Sequence, residues 1–566
     1  MSNPNKKIAK SLTPARQLAL RTLLSMQARA EKLQAALNET LGSASKTILP
    51  EDKALATELV YGCIRLKIRL DWILDQQFNK PEAVPTAMRR VMRMAVYELA
   101  YLSHIPSYAT LNSYVDAIKA GYGPKLAGLA NAVLRKISQV PVHDENWFKQ
   151  QFLKPQTNTG PADLAGATGA DLSGPADLAG ATDLAGATDL AGPADLAGPA
   201  ESSRPSSCAN SNSAPGTCPS SKEFMHIWYS LPLWLLDHFL NNYPPELAEQ
   251  YMAASIATPP LGLRLNKLNE HFASLSQTLP QEAGFILQQH EALAFHSGFM
   301  PKNFGKILAQ GQMTRQSFAA QEVMQQVFNA LPSEVNAALE LGPIWDVCAG
   351  QGGKTCWMLE QGLPVAASFD TSTQRLHGLA REIKRLHLAC YTPEVAGATD
   401  TTETKEARGP EETIAPAATV NEQETTAFAS PEGEPVCPYS NLAIIAADAS
   451  KPLPIKGQPG IVLVDAPCSG LGTLSRRPDI KIYREPADLP ALAALQKKII
   501  NASFARLAPG GLLIYLTCTL NPAENEDVIA YLQQQHKNAQ QIFTWATPAN
   551  SIAKEFFWVS AIKKAS

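Results

Sequence analysis

The sequence predicts an α/β domain built on a parallel sheet, with an all-helical domain ahead of it. Three observations lead there. After residue 341, short apolar runs alternate with helical stretches, the pattern of a doubly wound sheet. Before about residue 140 the chain shows only amphipathic helical spacing interrupted by Pro and Gly. Its 566 residues also exceed what one hydrophobic core organises, so two or three domains are expected.

In the first region Thr13-Pro14 supplies a cap and a first-turn residue, and leucines from Leu18 to Leu41 follow at helical spacing up to Gly42. Leu55 to Arg65, Arg69 to Gln77, Thr86 to Leu102, Leu111 to Lys119 and Lys125 to Ser138 are further amphipathic helices. Pro85, His104-Ile105-Pro106 and Gly121-Tyr122-Gly123-Pro124 separate them. Residues 1–145 form this helical domain. Residues 155–222 are a low-complexity insertion whose Ala-Asp-Leu-Ala-Gly units place Asp171, Asp177, Asp183, Asp189 and Asp195 at regular spacing; such composition buries too little core to fold. Residues 223–335 are read as a linking subdomain and residues 336–566 as the α/β domain, with residues 391–440 a second disordered insertion. Strands are expected at Ile344 to Val347, Val365 to Phe369, Leu442 to Ala447, Ile461 to Val464 and Leu512 to Leu516.

Net charge is -3, which by itself argues against a polyanionic partner, but it is unevenly spread. Residues 1–140 hold 20 Lys and Arg against 10 Asp and Glu, while residues 161–222 hold 2 against 7 and residues 391–440 hold 2 against 10. A basic N-terminal region is therefore masked by two acidic insertions, the footprint of a nucleic-acid partner. The nine cysteines form no C-x-x-C pair, so free thiols in a reducing compartment are expected, with no structural metal. No apolar run is long enough to span a membrane, and the first residues lack an apolar signal core; the reading is a cytoplasmic protein.

The chemistry should lie at the carboxyl ends of the strands. The first strand runs into Asp346-Val347-Cys348-Ala349-Gly350-Gln351-Gly352-Gly353-Lys354-Thr355, a glycine-rich turn before a helix, where backbone amides can approach a ligand. A P-loop needs glycine where Cys348 stands, and a dinucleotide fingerprint in this register needs glycine where Thr355 stands. A packing turn is the plain alternative. The next three strands each end in a carboxylate, Asp370, Asp448 and Asp465. Each alone could be a helix cap, but together with the turn they line one crevice, where an acid can accept hydrogen bonds from ribose hydroxyls. Cys468, in Pro467-Cys468-Ser469-Gly470, and Cys518, in Thr517-Cys518-Thr519, then fall on the same rim. A thiol at a strand end beside a helix start can be partly thiolate, whereas one inside a strand is a packing group.

At these residues the chain resembles the Sun family of bacterial 16S ribosomal RNA cytosine carbon-5 methyltransferases, within the NOL/NOP/Sun group. Lys53-Ala54-Leu55-Ala56-Thr57-Glu58-Leu59-Val60-Tyr61-Gly62 and Asn131-Ala132-Val133-Leu134-Arg135 are similar to the NusB-type RNA-binding domain fused to that family, and Pro259 to Asn266 to its signature before the catalytic fold. The family's cofactor loop reads Cys-Ala-Ala-Pro-Gly-Gly-Lys; here Gly350-Gln351 replace Ala-Pro. The resemblance implies a Rossmann-like S-adenosylmethionine-dependent methyltransferase domain behind a NusB-like all-α domain, acting on ribosomal RNA, without a metal and as a monomer. It implies that Cys348, Ala349, Gly350, Gln351, Gly352, Gly353 and Lys354 bind S-adenosylmethionine, with Asp370 at the ribose, Asp448 by the adenine and Asp465 where cofactor and base meet. Cys518 becomes the nucleophile and Cys468 its partner in product release. Cytosine carbon 5 needs such help, because only attack at carbon 6 turns the ring into an enamine. Arg264, Arg476, Arg477 and Lys481 are candidate RNA contacts near the rim. A DNA cytosine methyltransferase, which takes its nucleophile from Pro-Cys, and a non-catalytic RNA-binding factor are the alternatives.

Overall fold

The structure is a computed structural model and describes residues 4–29, 32–44, 48–153, 221–388 and 442–566. Both low-complexity segments, with Cys208, Cys218 and Cys437, lie outside the described residues, apart from Ser221 and Lys222 at the end of the first.

The N-terminal region is helical throughout. Helices run over Pro4–Ser11, Pro14–Arg29, Leu33–Gly42, Pro50–Arg65, Lys67–Asp75, Thr86–Tyr101, Ser107–Tyr122, Pro124–Ser138 and Glu145–Leu153. The single helix expected between residues 13 and 42 is two, Pro14–Arg29 and Leu33–Gly42. Gly123, at φ 84°, ends one helix, and Pro124 at the first turn of the next follows it directly. Three more helices after the first insertion, Ser221–Trp228, Leu233–Asn242 and Pro245–Ile256, share this core through Trp228, Leu235, Leu236 and Phe239.

Next comes a four-stranded antiparallel sheet in the order β2-β3-β1-β4, from β1 (Leu261–Leu265), β2 (Phe285–Gln289), β3 (Ala292–Phe295) and β4 (Met313–Arg315). The large sheet has seven strands: β5 (Ile344–Asp346), β6 (Val365–Asp370), β7 (Ala443–Ala446), β8 (Ile461–Asp465), β9 (Leu512–Thr517), β10 (Ala539–Ala546) and β11 (Trp558–Lys564). Their order is β10-β11-β9-β8-β5-β6-β7. The five strands that the sequence predicts are all present and parallel, while β11 pairs antiparallel with β9 and β10. Strand order reverses between β5 and β8, so a crevice opens at their carboxyl ends.

Register fixes what reaches that edge. Asp346 pairs with Leu463, Asp370 with Ala446 and Asp465 with Leu516. The turns that follow each strand therefore emerge on one rim. The helical domain docks there too, because Leu471, Leu474, Ile480, Leu520 and Phe556 from the loops around β8, β9 and β11 are buried in the helical core. Among the described residues, no helix is long and apolar enough to cross a membrane.

Candidate active site

The glycine turn after β5 is held from both ends. Val347 and Ala349 donate backbone N–H groups to Leu463 and Phe369, which prolongs the strand contacts to the turn. Gly350 (φ 58°) and Gly352 (φ 85°) adopt the left-handed conformation that side chains resist. Space is open where a Cβ at Gly350 would point, whereas one at Gly352 would lie 2.1 Å from Leu379 Cδ1. Asp346 is fully buried and accepts a 2.6 Å bond from Thr355 Oγ1, stapling the following helix to the strand. Burial pushes its carboxyl up to about 7.

Asp370 at the end of β6 accepts from Gly350 N (3.0 Å) and Ser372 N (2.8 Å), with Arg375 3.6 Å away. It thus ties two turns together beside the glycine cradle. Asp448 lies two residues past β7 and is half-buried; bonds from the Ser450 hydroxyl (2.6 Å) and amide (2.9 Å) hold its carboxyl below the usual range. Asp465, at the end of β8, accepts a 2.6 Å bond from Lys354 Nζ. Burial works against the Lys354 ammonium, yet Asp465 outweighs it and the lysine pKa is raised. Cys348 is half-buried, and burial with Asp346, Asp465, Asp370 and Asp448 pushes its thiol well above the ordinary range. It is a packing thiol within the acid row rather than a nucleophile.

The two remaining cysteines meet. Cys468 Sγ and Cys518 Sγ are 3.3 Å apart, both half-buried. A hydrogen bond from Cys468 draws the Cys518 thiol down, with Lys354 and Arg477 helping against burial and Asp465. Cys468 goes up, because that bond retains its proton and burial adds to it. The pair therefore ionises at Cys518.

A buried network that sequence reasoning missed sets their spacing. Glu524 accepts from Ser469 N (2.8 Å), Gln496 Nε2 (2.9 Å) and Asn521 Nδ2 (2.9 Å), joining the Cys468 loop to the turn after β9. Gln496 also donates to the Pro467 carbonyl, and the hydroxyls of Ser469 and Thr519 are 2.6 Å apart. Gly472 N donates to the Cys518 carbonyl, and a Cβ there would sit 2.1 Å from Phe556 O. The sequence signal available was Asn521-Pro522, a cap followed by a first-turn proline.

Two of the arginine and lysine candidates are corrected. Arg264 is fully buried and pairs with Glu360 at 2.8 Å, while its Nη1 donates to Gly353 O at 2.7 Å; it is a strut under the glycine turn. Lys481 is buried against the carbonyls of Arg65 and Tyr229, and burial with Arg65 and Arg69 lowers its pKa well below the ordinary value. Arg476 is half-buried and pairs with Glu555 at 2.9 Å; Arg477 alone of the four is exposed. The basic excess of the helical domain is likewise partly internal, since Arg16, Arg65, Arg69 and Arg93 are buried. Among the described residues, no group of three or more His, Cys, Asp and Glu could hold a metal ion.

Seven strands in this order, the left-handed glycine turn and the acid row define a Rossmann-like methyltransferase fold joined to a helical domain. Residues 13–139 match the model of the NusB family, and residues 430–557 that of the 16S rRNA methyltransferase RsmB/F family. Two stretches of the chain thus match a NusB-family domain and an RsmB/F-family methyltransferase domain, as the resemblance read from the sequence expects. Among its relatives, a probable ribosomal RNA small subunit methyltransferase B of Synechocystis sp. is 26% identical over 547 residues, covering 94% of this chain and 92% of that protein. Its counterpart in Bacillus subtilis is 24% identical, covering 93% and 89%. The crystal structure of PH0851 shares the fold, with a TM-score of 0.57 at 16% identity over 98% of this chain and 99% of that one.

Proposed function

We propose that this protein transfers a methyl group from S-adenosylmethionine to carbon 5 of a cytosine in small-subunit (16S) ribosomal RNA, with Cys518 as covalent nucleophile. The supporting observation is the thiol pair: two half-buried sulfurs 3.3 Å apart on the rim that carries the glycine turn and the Lys354–Asp465 pair. The relatives named ribosomal RNA small subunit methyltransferase B support the substrate.

The glycine turn fits the cofactor. Open space at Gly350 and the buried Asp370 beside it suit a nucleoside, with Cys348 to Lys354 as its floor and Asp448 toward the base. S-adenosylmethionine bound there supplies an electrophilic methyl group for carbon 5. The protein's part is to make that carbon reactive. Cys518 sulfur adds to carbon 6, and the electron pair of the ring double bond moves to carbon 5 as an enamine. Asp465, held through Oδ2 by Lys354, keeps Oδ1 as an acceptor for the amino group on the pyrimidine edge, while the Lys354 ammonium beside it offsets the negative charge that thiolate addition puts on the ring. After methylation a solvent base takes the carbon-5 proton, the C–H pair re-forms the ring double bond, and sulfur leaves carbon 6 as the Cys518 thiolate, to which Cys468, the neutral partner, gives its hydrogen bond. The lowered Cys518 and raised Cys468 favour this assignment over the Pro-Cys nucleophile of a DNA cytosine methyltransferase.

The test is methylation of a 16S ribosomal RNA transcript read by bisulfite sequencing. Wild type marks a cytosine, Cys518→Ala leaves none marked, and Cys468→Ala accumulates a protein–RNA adduct. Product formed by Cys518→Ala at the wild-type rate would remove the role from this residue.

A further inference from the structure

A cleft of about 440 Å³ opens where the helical domain, the small sheet and the loop after β8 meet. Its walls include Tyr61, Arg65, Phe299, Met300, Arg315 and Arg476. We propose that this cleft holds the single-stranded RNA next to the target cytosine, with its guanidinium groups on phosphate and its aromatic and apolar wall against a base. The inference rests on the methyltransferase reading above and deepens it.

Charge is the first argument. Arg65 is 4% exposed and donates to Thr258 Oγ1 and Ser475 O, yet has no carboxylate within 4 Å among the described residues, and its Nε finds no partner. Burying a cation without a counter-ion is costly, which marks a place for an anion to arrive. Arg315 is exposed, lies 4.7 Å over the Phe304 ring and makes no ion pair among the described residues. Arg476 is partly neutralised by Glu555, but its Nε is also unpartnered. The carboxylate on the lining, Glu58, accepts from the Tyr97 hydroxyl. Guanidinium forks suit phosphate oxygens.

Shape is the second. Phe299 is half-buried and Met300 is 53% exposed, so apolar surface stands beside the cations. That combination fits a nucleotide of an unpaired strand better than a bare ion or a duplex. Position is the third. Arg315 and Gln316 also line a second cleft of about 510 Å³, whose walls include Gln351 and Gly353 of the glycine turn. The thiol pair lines neither cleft, so a strand lying here would contribute flanking nucleotides while the target base is turned toward Cys518.

The experiment measures, on one 16S ribosomal RNA transcript, both methylation by the wild type and binding across a salt series. Arg315→Gln should weaken binding about tenfold and reduce the slope of log affinity against log salt by about 0.7. Met300→Glu, at an exposed position that leaves the fold intact, should weaken binding by a similar factor. Lys537→Ala, beyond the opposite edge of the sheet, should change neither. Wild-type affinity in both Arg315→Gln and Met300→Glu, or equal losses in Lys537→Ala, would overturn the proposal. A wild type that binds but methylates no transcript would instead sink the function proposed above.

Discussion

Replacing Arg264 by methionine removes the cation that faces the buried Glu360. Both side chains are 0% exposed, joined at 2.8 Å by Nε and 2.9 Å by Nη2, and Nη1 holds the Gly353 carbonyl. Breaking a buried pair by removing one partner costs about 3–5 kcal/mol. At a urea dependence of about 2 kcal/mol per molar, the unfolding midpoint should fall by about 2 M. Burial already pushes Glu360 up to about 7 against the opposing pull of Arg264, so Arg264→Met pushes it further. A carboxyl raised in the folded state contributes stability that is complete below its unfolded value and is lost as pH rises through the folded one. The deficit should therefore be smallest at pH 5 and grow steadily as pH rises past 7, and Glu360→Gln added to Arg264→Met should recover at least half of it at pH 8. Urea unfolding followed by tryptophan fluorescence, without RNA present, is the assay. A midpoint at pH 8 equal to wild type would refute the strut and return Arg264 to the RNA surface.

Gly352→Ala forces a side chain onto a backbone at φ 85° and toward Leu379; strain of about 1–2 kcal/mol should weaken S-adenosylmethionine binding about tenfold by calorimetry. Gly472→Ala meets the Phe556 carbonyl, which cannot swing aside, and shifts the Cys518 backbone; turnover should fall about 100-fold, as an ångström of misplacement does, measured under saturating substrates. Lys354→Met removes a charge that helps draw the Cys518 thiol down, so its pKa rises and less thiolate is present at a given pH. Alkylation of Cys518 by iodoacetamide should then reach half its maximal rate at a higher pH than in wild type; a shift toward acid contradicts the electrostatics.

Most of the parallel strands were legible because they are short apolar runs buried on both faces, as β8 and β9 are, and because a polar turn closes each one; the half-buried edge strand β7 shows the same apolar run. The hairpin partners β10 and β11 were not. Half of Ala539–Ala546 is exposed, with Gln540 and Gln541 beside Ile542 and Phe543, and it becomes a strand only by pairing with β11. The small sheet escaped notice because its short strands lie outside the regular alternation of strand and helix that marks the large sheet. At the site, the acid row and both cysteines could be read because strand ends share one edge in a parallel sheet. Glu524 could not, since its burial depends on Ser469 and Gln496, brought in from other elements. Arg264 and Lys481 failed for the same reason: nothing near them in sequence announces Glu360, 96 residues away, or the docking of the helical domain. Counting charge by segment treated every arginine as surface, while Arg16 is paired with Glu98 inside the helical core.

The account stands on one sulfur–carbon bond, and RNA carrying 5-fluorocytosine at the methylated position tests it most directly. Fluorine cannot depart as the proton does, so the adduct persists after methyl transfer. Mass spectrometry of digested protein should then find the nucleotide on the peptide containing Cys518, and none when Cys518 is serine. A nucleotide attached to Cys468, or complete turnover with no attached nucleotide, would contradict it.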